Sequence, residues 1–191
     1  MVWVMASVLL WTVTVAVLAG GGNLQPYPQR TVMTDFNMTK YLGEWNEILR
    51  LPNVHEESYS CMQDVFSLAP DGTTKVLSHA YNVSNHAYDF LEGVATEPEP
   101  GRFDITYSGE TVWSSSYWVL ATNYDAYAVL WGSLLEGDAP MPLAWVLSRQ
   151  KTLGEEYGTE VNQVLRNNGL QRSQFEGVDQ TNCPEVTTAD N

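Results

Sequence analysis

Tyr41-Leu42-Gly43-Glu44-Trp45-Asn46-Glu47-Ile48-Leu49 is the stretch that decides the fold. A glycine two residues before a tryptophan, at the start of an apolar-alternating run, lets the backbone enter the closed end of a barrel tightly while the indole plugs that end. The tripeptide alone occurs by chance in many sequences. Its weight comes from the order and spacing of what surrounds it.

From Leu42 onward the chain reads as strands. A run over 60–68 is followed by Pro70-Asp71-Gly72, a turn whose glycine supplies positive φ, and then by a run over 73–81, which together make a hairpin. Further runs cover 86–96, 102–107, 116–124, 126–133 and 143–149, with a Pro/Gly break at 97–101. With the first strand that makes eight. Eight short strands joined by turns rather than crossover helices predict an all-β up-and-down antiparallel barrel or a sandwich. An eight-stranded closure leaves an interior just wide enough for one small ligand. After the last strand, Thr152-Leu153-Gly154-Glu155 has capping-box form, and Tyr157, Val161, Val164 and Leu165 fall on one face at helical spacing before Gly169. One helix is expected there, its apolar stripe against the outside of the sheet.

The 191 residues are 44% hydrophobic, enough for one domain with a sizeable core. Residues 1–22 carry no charged side chain and end in Ala19, Gly20, Gly21 and Gly22, as a secretory signal peptide does. A retained membrane anchor is the competing reading, because no Lys or Arg precedes the apolar stretch; the small residues at its end favour cleavage. The expected product is a single domain over 23–191, secreted and extracellular, with no transmembrane segment in the mature chain. Asn37-Met38-Thr39 and Asn82-Val83-Ser84 are glycosylation sequons that matter in that pathway and are otherwise chance occurrences.

Cys61 and Cys183 are the two cysteines, and in an oxidising compartment an even pair most simply forms one bridge, whereas free thiols would fit a cytosolic chain. Two cysteines so far apart, without Cys-x-x-Cys, do not suggest a metal or redox centre. Nine Lys+Arg against 23 Asp+Glu give a formal charge of −14, so nucleic acid and anionic membrane surfaces would repel the protein. The composition permits a homo-oligomer.

With the order of elements in place, the chain resembles the lipocalins, and within them the apolipoprotein D and bilin-binding group. Three motifs carry the resemblance: the segment 37–52 containing Gly43 and Trp45; the segment 117–124, in which the family's Thr-Asp-Tyr turn appears as Thr122-Asn123-Tyr124; and Ala144-Trp145-Val146-Leu147-Ser148-Arg149. The resemblance implies that Arg149 lies across Trp45 and shuts the barrel's base, which as a cation–π contact makes physical sense. It also implies that Asp179-Gln180-Thr181-Asn182-Cys183-Pro184 bridges back to the second strand, pairing Cys183 with Cys61. A second bridge typical of apolipoprotein D lacks both ends here, with Ser133 in the strand position, which predicts a less firmly held segment before Asn37.

If the bridge lies outside the barrel, alternation directs Cys61, Gln63, Val65 and Ser67 outward and Met62, Asp64, Phe66 and Leu68 inward. Asp64 would then be an acid inside an apolar cup, unless a β-bulge turns it to solvent. The resemblance adds Phe66, Ser78, Tyr107, Tyr117, Trp145 and Leu147 as pocket-lining positions, though inward aromatics also serve as plain core filling. His79 shares the outward parity of Lys75 and Leu77 and reads as a surface histidine rather than a haem ligand; His55 and His86 carry no signal.

The function implied is a carrier that sequesters one small hydrophobic ligand, a carotenoid, retinoid, sterol, bilin or other lipid. No cofactor is required, and a bound chromophore such as a bilin or carotenoid is one ligand such a cup takes. Bilin propionates usually want Lys or Arg near the mouth, where only Lys75 and Arg102 are candidates. Two other readings stand beside it: an acidic protein-interaction module with a filled or vestigial calyx, and a lipocalin-type isomerase. The second of these has little support, because no nucleophile elbow, metal-binding helix motif or phosphate loop is present, no catalytic residue can be assigned, and paired cysteines leave no thiol nucleophile.

Overall fold

The computed structural model describes residues 30–109, 112–136 and 139–186. The apolar leader over 1–22 and the start of the expected mature chain lie outside the described residues. A single turn of helix, α1 (Met38–Tyr41), leads into eight strands: β1 (Gly43–Arg50), β2 (Tyr59–Leu68), β3 (Thr74–Asn82), β4 (Ala87–Glu99), β5 (Arg102–Ser108), β6 (Trp113–Thr122), β7 (Tyr127–Glu136) and β8 (Ala139–Ser148). Each strand pairs antiparallel with the next, and β1 pairs with both β2 and β8. That double pairing closes the barrel and removes its edges. A two-residue strand, β9 (Glu176–Gly177), then adds to β1 at Leu49 and Arg50.

Alternation along the strands sorts apolar side chains into two layers. Inside the barrel, Trp45, Phe66, Val76, Phe103, Ile105, Val119, Leu130 and Leu147 form one core. Outside it, Val129, Trp131, Val146 and Leu49 meet Val161 and Leu165 of the helix α2 (Gly158–Asn167) and Phe175 beyond it. The expected stripe is present, with Tyr157 and Val164 at its margins.

The start of the helix differs from the expected capping box. A 3₁₀ turn (Glu155–Tyr157) precedes α2, and Gly154, not Thr152, stands at its N-terminal boundary, where no side chain caps it. Thr152 is instead tied to the end of β8, its carbonyl accepting from Ser148 Oγ at 3.1 Å. A reciprocal box forms further on, where Gln171 and Gln174 bracket the 3₁₀ turn Arg172–Gln174.

Two bulges set which residues reach the interior. The β2–β3 register shifts between Ser60 and Gln63, where Cys61 takes a positive φ of 51°. Because that bulge precedes Asp64, it does not turn the carboxylate out; Asp64 pairs with Trp45 on one side and Ser78 on the other. The β1–β8 register shifts between Glu47 and Leu49, so that Glu47, opposite Leu147, and Arg50, opposite Trp145, both project inward. Leu68 departs from the inward expectation: it ends β2 beyond the barrel floor and is 58% exposed.

Cys61 and Cys183 form a disulfide. The described residues before Asn37, 30–36, are better anchored than the missing second bridge predicts. Met33 N donates to Val119 O at 2.9 Å, and Phe36 is buried, stacked on Tyr124 and Phe103 and edge-on to Tyr41. Gly101, at φ +76°, makes room for it, since a Cβ there would collide with the Met33 carbonyl. Aromatic packing thus replaces the covalent tie.

Candidate functional site

One end of the barrel is shut by a compact assembly around Trp45. The indole is fully buried, stacked on Tyr41 with centroids 4.9 Å apart, and its Nε1 donates to Tyr41 O at 2.8 Å. The Arg149 guanidinium lies over it at 3.6 Å from the ring centroid and donates to the carbonyls of Glu44, Leu42 and Tyr124 at 2.8–2.9 Å. Gly43 is required twice over: its φ is +100°, and a Cβ would stand 3.2 Å from Arg149 Nη1. The Thr122-Asn123-Tyr124 turn completes the base. Thr122 Oγ1 accepts from Tyr124 N and donates to Tyr127 O, and Asn123 Oδ1 accepts from Ala126 N and Tyr127 N, the role an aspartate would play. Asn37 N donates to the Tyr124 hydroxyl, fastening α1 to this turn.

The other half of the barrel is hollow. A cavity of about 650 Å³ opens toward the β1–β2 loop, a size that suits one small molecule. Asp64, Ser78, Tyr117 and Trp145 border it, as the sequence suggests. Phe66 and Leu147 sit deeper, in the floor between cavity and base, where Phe66 is edge-on to Phe103 and Tyr41, and Tyr107 is buried in the same interior core. Tyr117 joins the two layers: it stacks on Phe103, lies tilted against Trp145 at 5.4 Å, and shares a 3.3 Å hydroxyl contact with Tyr107. Burial pushes the Tyr107 phenol up to about 12 and the Tyr117 phenol well upward, so both stay neutral hydroxyls.

Several bordering residues were not singled out from sequence. Glu47, Glu56, Asn53, His55, Tyr59 and Asp89 all reach the cavity. Glu47 was legible in principle, being two residues past Trp45 on the same strand face. Glu56 was not, because it arrives on the β1–β2 loop, where no periodicity applies. It is held there by Asn53 Nδ2 at 2.5 Å and by Trp145 Nε1, which donates to its two oxygens at 3.2 and 3.3 Å.

His79 keeps its outward parity but is not a surface residue. It is 8% exposed, covered by Tyr88 and Phe90 with ring centroids 5.7 and 5.9 Å away. Outward neighbours on β3 and β4 are aromatic here, and they roof it. Burial pushes its imidazole pKa down, toward the neutral form. Lys75 is exposed on the outer face, and Arg102 is engaged by Glu99 at 2.8 Å and by the Trp118 ring at 4.5 Å, so neither cation serves the cup.

The cavity's electrostatics are set by its acids. Asp64 accepts a 2.5 Å hydrogen bond from Ser78 Oγ. Burial raises its carboxyl from the ordinary 3.8 to about 6, the Ser78 bond opposing and the Glu56 charge adding to the rise. Glu47 is raised well above its usual range, first by burial and then by Glu56, with Arg50 opposing.

The Asp64 shift makes stability depend on pH. Since the folded value lies above the unfolded one, the folded state holds more protons between about pH 4 and 6; its stabilisation is full below that window and lost as pH rises through about 6. A rise of that size would amount to ~3 kcal/mol at most, but Asp64 faces an open cup, so we expect Asp64→Asn to raise stability at pH 7.5 by only about 1–2 kcal/mol. Urea unfolding at pH 4.5, 6 and 7.5 checks this. A variant that keeps the wild-type slope across those points would place the titration elsewhere.

A closed antiparallel barrel with a plugged base and a hollow, aromatic-walled mouth is a calyx, the architecture of a binding barrel. The chain belongs to the lipocalin family: the family model described as a lipocalin-like domain matches residues 36–180. Bovine apolipoprotein D is 31% identical over 193 residues, covering 95% of this chain and 99% of that protein. Among solved structures, the cockroach major allergen Per a 4 superposes with a TM-score of 0.72 at 31% identity, covering 81% of this chain and 95% of that one. Insecticyanin from the tobacco hornworm Manduca sexta does so at 0.73 and 26%, covering 82% and 87%.

Proposed function

We propose that the protein is a secreted carrier that sequesters one small hydrophobic molecule in the calyx. The observation that carries this reading is the 650 Å³ cavity above an intact, aromatic floor. A vestigial calyx would be filled by its own side chains, which disfavours the interaction-module reading. Membership of the lipocalin family and likeness to apolipoprotein D over nearly the whole chain support it. An isomerase using a thiol nucleophile is disfavoured, because both cysteines are bridged.

Secretion is supported by the disulfide and by the leader-like composition of residues 1–22, with the carrier domain over 23–191. Asn37 is exposed and Asn82 half-buried at the end of β3, so Asn37 is the better glycan acceptor of the two. No helix among the described residues is long and apolar enough to cross a membrane. A chromophore is one ligand class the cup could house, but a bilin's propionates would meet no Lys or Arg among the bordering residues.

Trp145 is the residue we expect to contact ligand most directly. Its ring shares the inner face with Leu147, lies between Tyr117 and Glu56, and borders the cavity. Ligands drawn from a panel of a polyene (retinol), a sterol and an aromatic amphiphile should quench intrinsic fluorescence. Trp145→Ala should weaken binding of whichever binds by about 1–3 kcal/mol while leaving the fold intact. Equal affinity in wild type and a folded variant would remove Trp145 from the site. Absence of quenching by the whole panel would count against the carrier reading, and a native mass spectrum of protein from its source would show ligand mass, glycans and oligomeric state together.

A further inference from the structure

The calyx is hydrophobic in its walls and one-signed in its charge. Among the described residues, four carboxylates border it, Glu47, Glu56, Asp64 and Asp89, and no Lys or Arg does. His55 stands at the rim; His79, on the same wall, faces outward, and its imidazole is held toward neutrality by burial. The nearest guanidinium, Arg50, is already committed: Nε binds Glu176 at 2.7 Å, Nη1 contacts Met62 Sδ at 3.4 Å and Nη2 donates to Tyr59 O at 3.3 Å.

Glu47 is the least satisfied of the four acids. Its side chain is 7% exposed, and among the described residues Oε1 has no hydrogen-bond partner; the cation beside it is Arg50 Nη1 at 3.6 Å, beyond hydrogen-bonding distance. A buried carboxylate oxygen without a donor is costly, and a donor supplied by a ligand would remove that cost. Glu47 feels the charges of Glu56 and Asp64, and Asp64 feels Glu56, so the three acids act on one region of the cup. Beside that region stand the faces of Trp145 and Tyr117, which favour a cation electrostatically.

We infer that the calyx selects ligands bearing a protonated amine on an apolar body, the ammonium held among Glu47, Glu56 and Asp64 and the body against Trp145 and Tyr117. This rests on the carrier reading and narrows it. A protonated amine brings both the missing donors and the missing positive charge, whereas a carboxylate of the same shape would add negative charge to an already acidic cup. A neutral alcohol brings a donor without the charge, so it should rank between them.

Three probes of one shape separate the charge from the body: 2-(2-naphthyl)ethylamine, 2-(2-naphthyl)ethanol and 2-naphthylacetate, titrated calorimetrically against the full mature chain at pH 7.4. The amine should bind about ten- to hundredfold more tightly than the alcohol, as a charge-assisted hydrogen bond implies, and the acid more weakly than either. In Glu47→Gln/Asp64→Asn the amine's advantage over the alcohol should fall at least tenfold, because amide oxygens still accept from a hydroxyl but carry no charge for an ammonium, so amine affinity drops far more than alcohol affinity. Amine binding should also rise with falling salt, which alcohol binding should not. If alcohol and acid bind as tightly as the amine, or the double variant keeps the amine's advantage, the inference is overturned and the carrier reading stands. If none of the three binds while retinol or the sterol does, the inference falls and the carrier reading stands; if nothing binds at all, the carrier reading falls with it.

Discussion

Trp45→Ala is expected to destabilise the protein by about 3–5 kcal/mol, the cost of deleting a large buried aromatic and leaving its cavity. Three losses coincide at this position. The ring is fully buried, so its apolar surface is returned to water or to a void. The Tyr41 carbonyl loses the Nε1 donor at 2.8 Å. Arg149, held 3.6 Å above the ring, loses its cation–π partner while still spanning the carbonyls of Glu44, Leu42 and Tyr124. Against a typical margin of 5–15 kcal/mol, this is a large fraction of the total. Denaturant midpoints should fall accordingly, and Trp45→Phe, which keeps an aromatic under the guanidinium, should lose markedly less. An unchanged midpoint for Trp45→Ala would show that the base does not depend on the plug. The contrast with Trp145→Ala is informative, because that residue borders a hollow rather than filling a solid. The first change should act on folding, the second on binding.

The difference between those two tryptophans also marks what the sequence made legible. The base is local and repetitive in its logic: Gly43 before Trp45, a Thr-x-Tyr turn, and an arginine at the end of the last strand can each be read along the chain, and all meet as expected. Strand alternation pointed Asp64 and Trp145 inward, the family resemblance added Ser78 and Tyr117, and all four border the cavity. What escaped was everything that depends on a break in alternation. The bulge between Glu47 and Leu49 brings Arg50 inward beside Glu47, and no periodic rule anticipates it. Glu56 reaches the cup from an irregular loop through its bond with Trp145, a pairing across 89 residues that composition cannot show. His79 was misjudged for a related reason. Parity gave the correct face, but the aromatic roof over it is assembled from the facing strand, where Tyr88 and Phe90 happen to be large. The floor was easier to expect than the charge of the cup, because apolar packing follows from single-strand patterns and electrostatics from the meeting of several.

Removing the Cys61–Cys183 bridge should produce the other large effect, a loss of about 4–5 kcal/mol by the chain-entropy argument for a loop of 122 residues. For a domain of this size that corresponds to a fall in melting temperature on the order of 10–20 °C. The barrel itself should persist, because its closure rests on β1 pairing with β2 at residues 63–66 and with β8, and Cys61 takes part in neither pairing. The C-terminal segment is also held without it. Cys61 N donates to Asp179 O at 2.8 Å, Gln180 Nε2 donates to Glu47 O and Met62 O at 2.9 Å, and Tyr88 OH donates to Pro184 O at 3.0 Å. The two Gln180 bonds land on the backbone of residues that border the cavity, so the tail braces the calyx wall as well as the sheet. The double variant Cys61→Ala/Cys183→Ala should therefore show a native-like β circular dichroism spectrum at 25 °C, a lowered melting temperature, and a ligand affinity reduced far less than its stability. If the double variant melts where the wild type does, the bridge contributes nothing to holding the tail. If it loses β structure at 25 °C, closure depends on the tail after all, and the seam between β1 and β2 is weaker than its register implies.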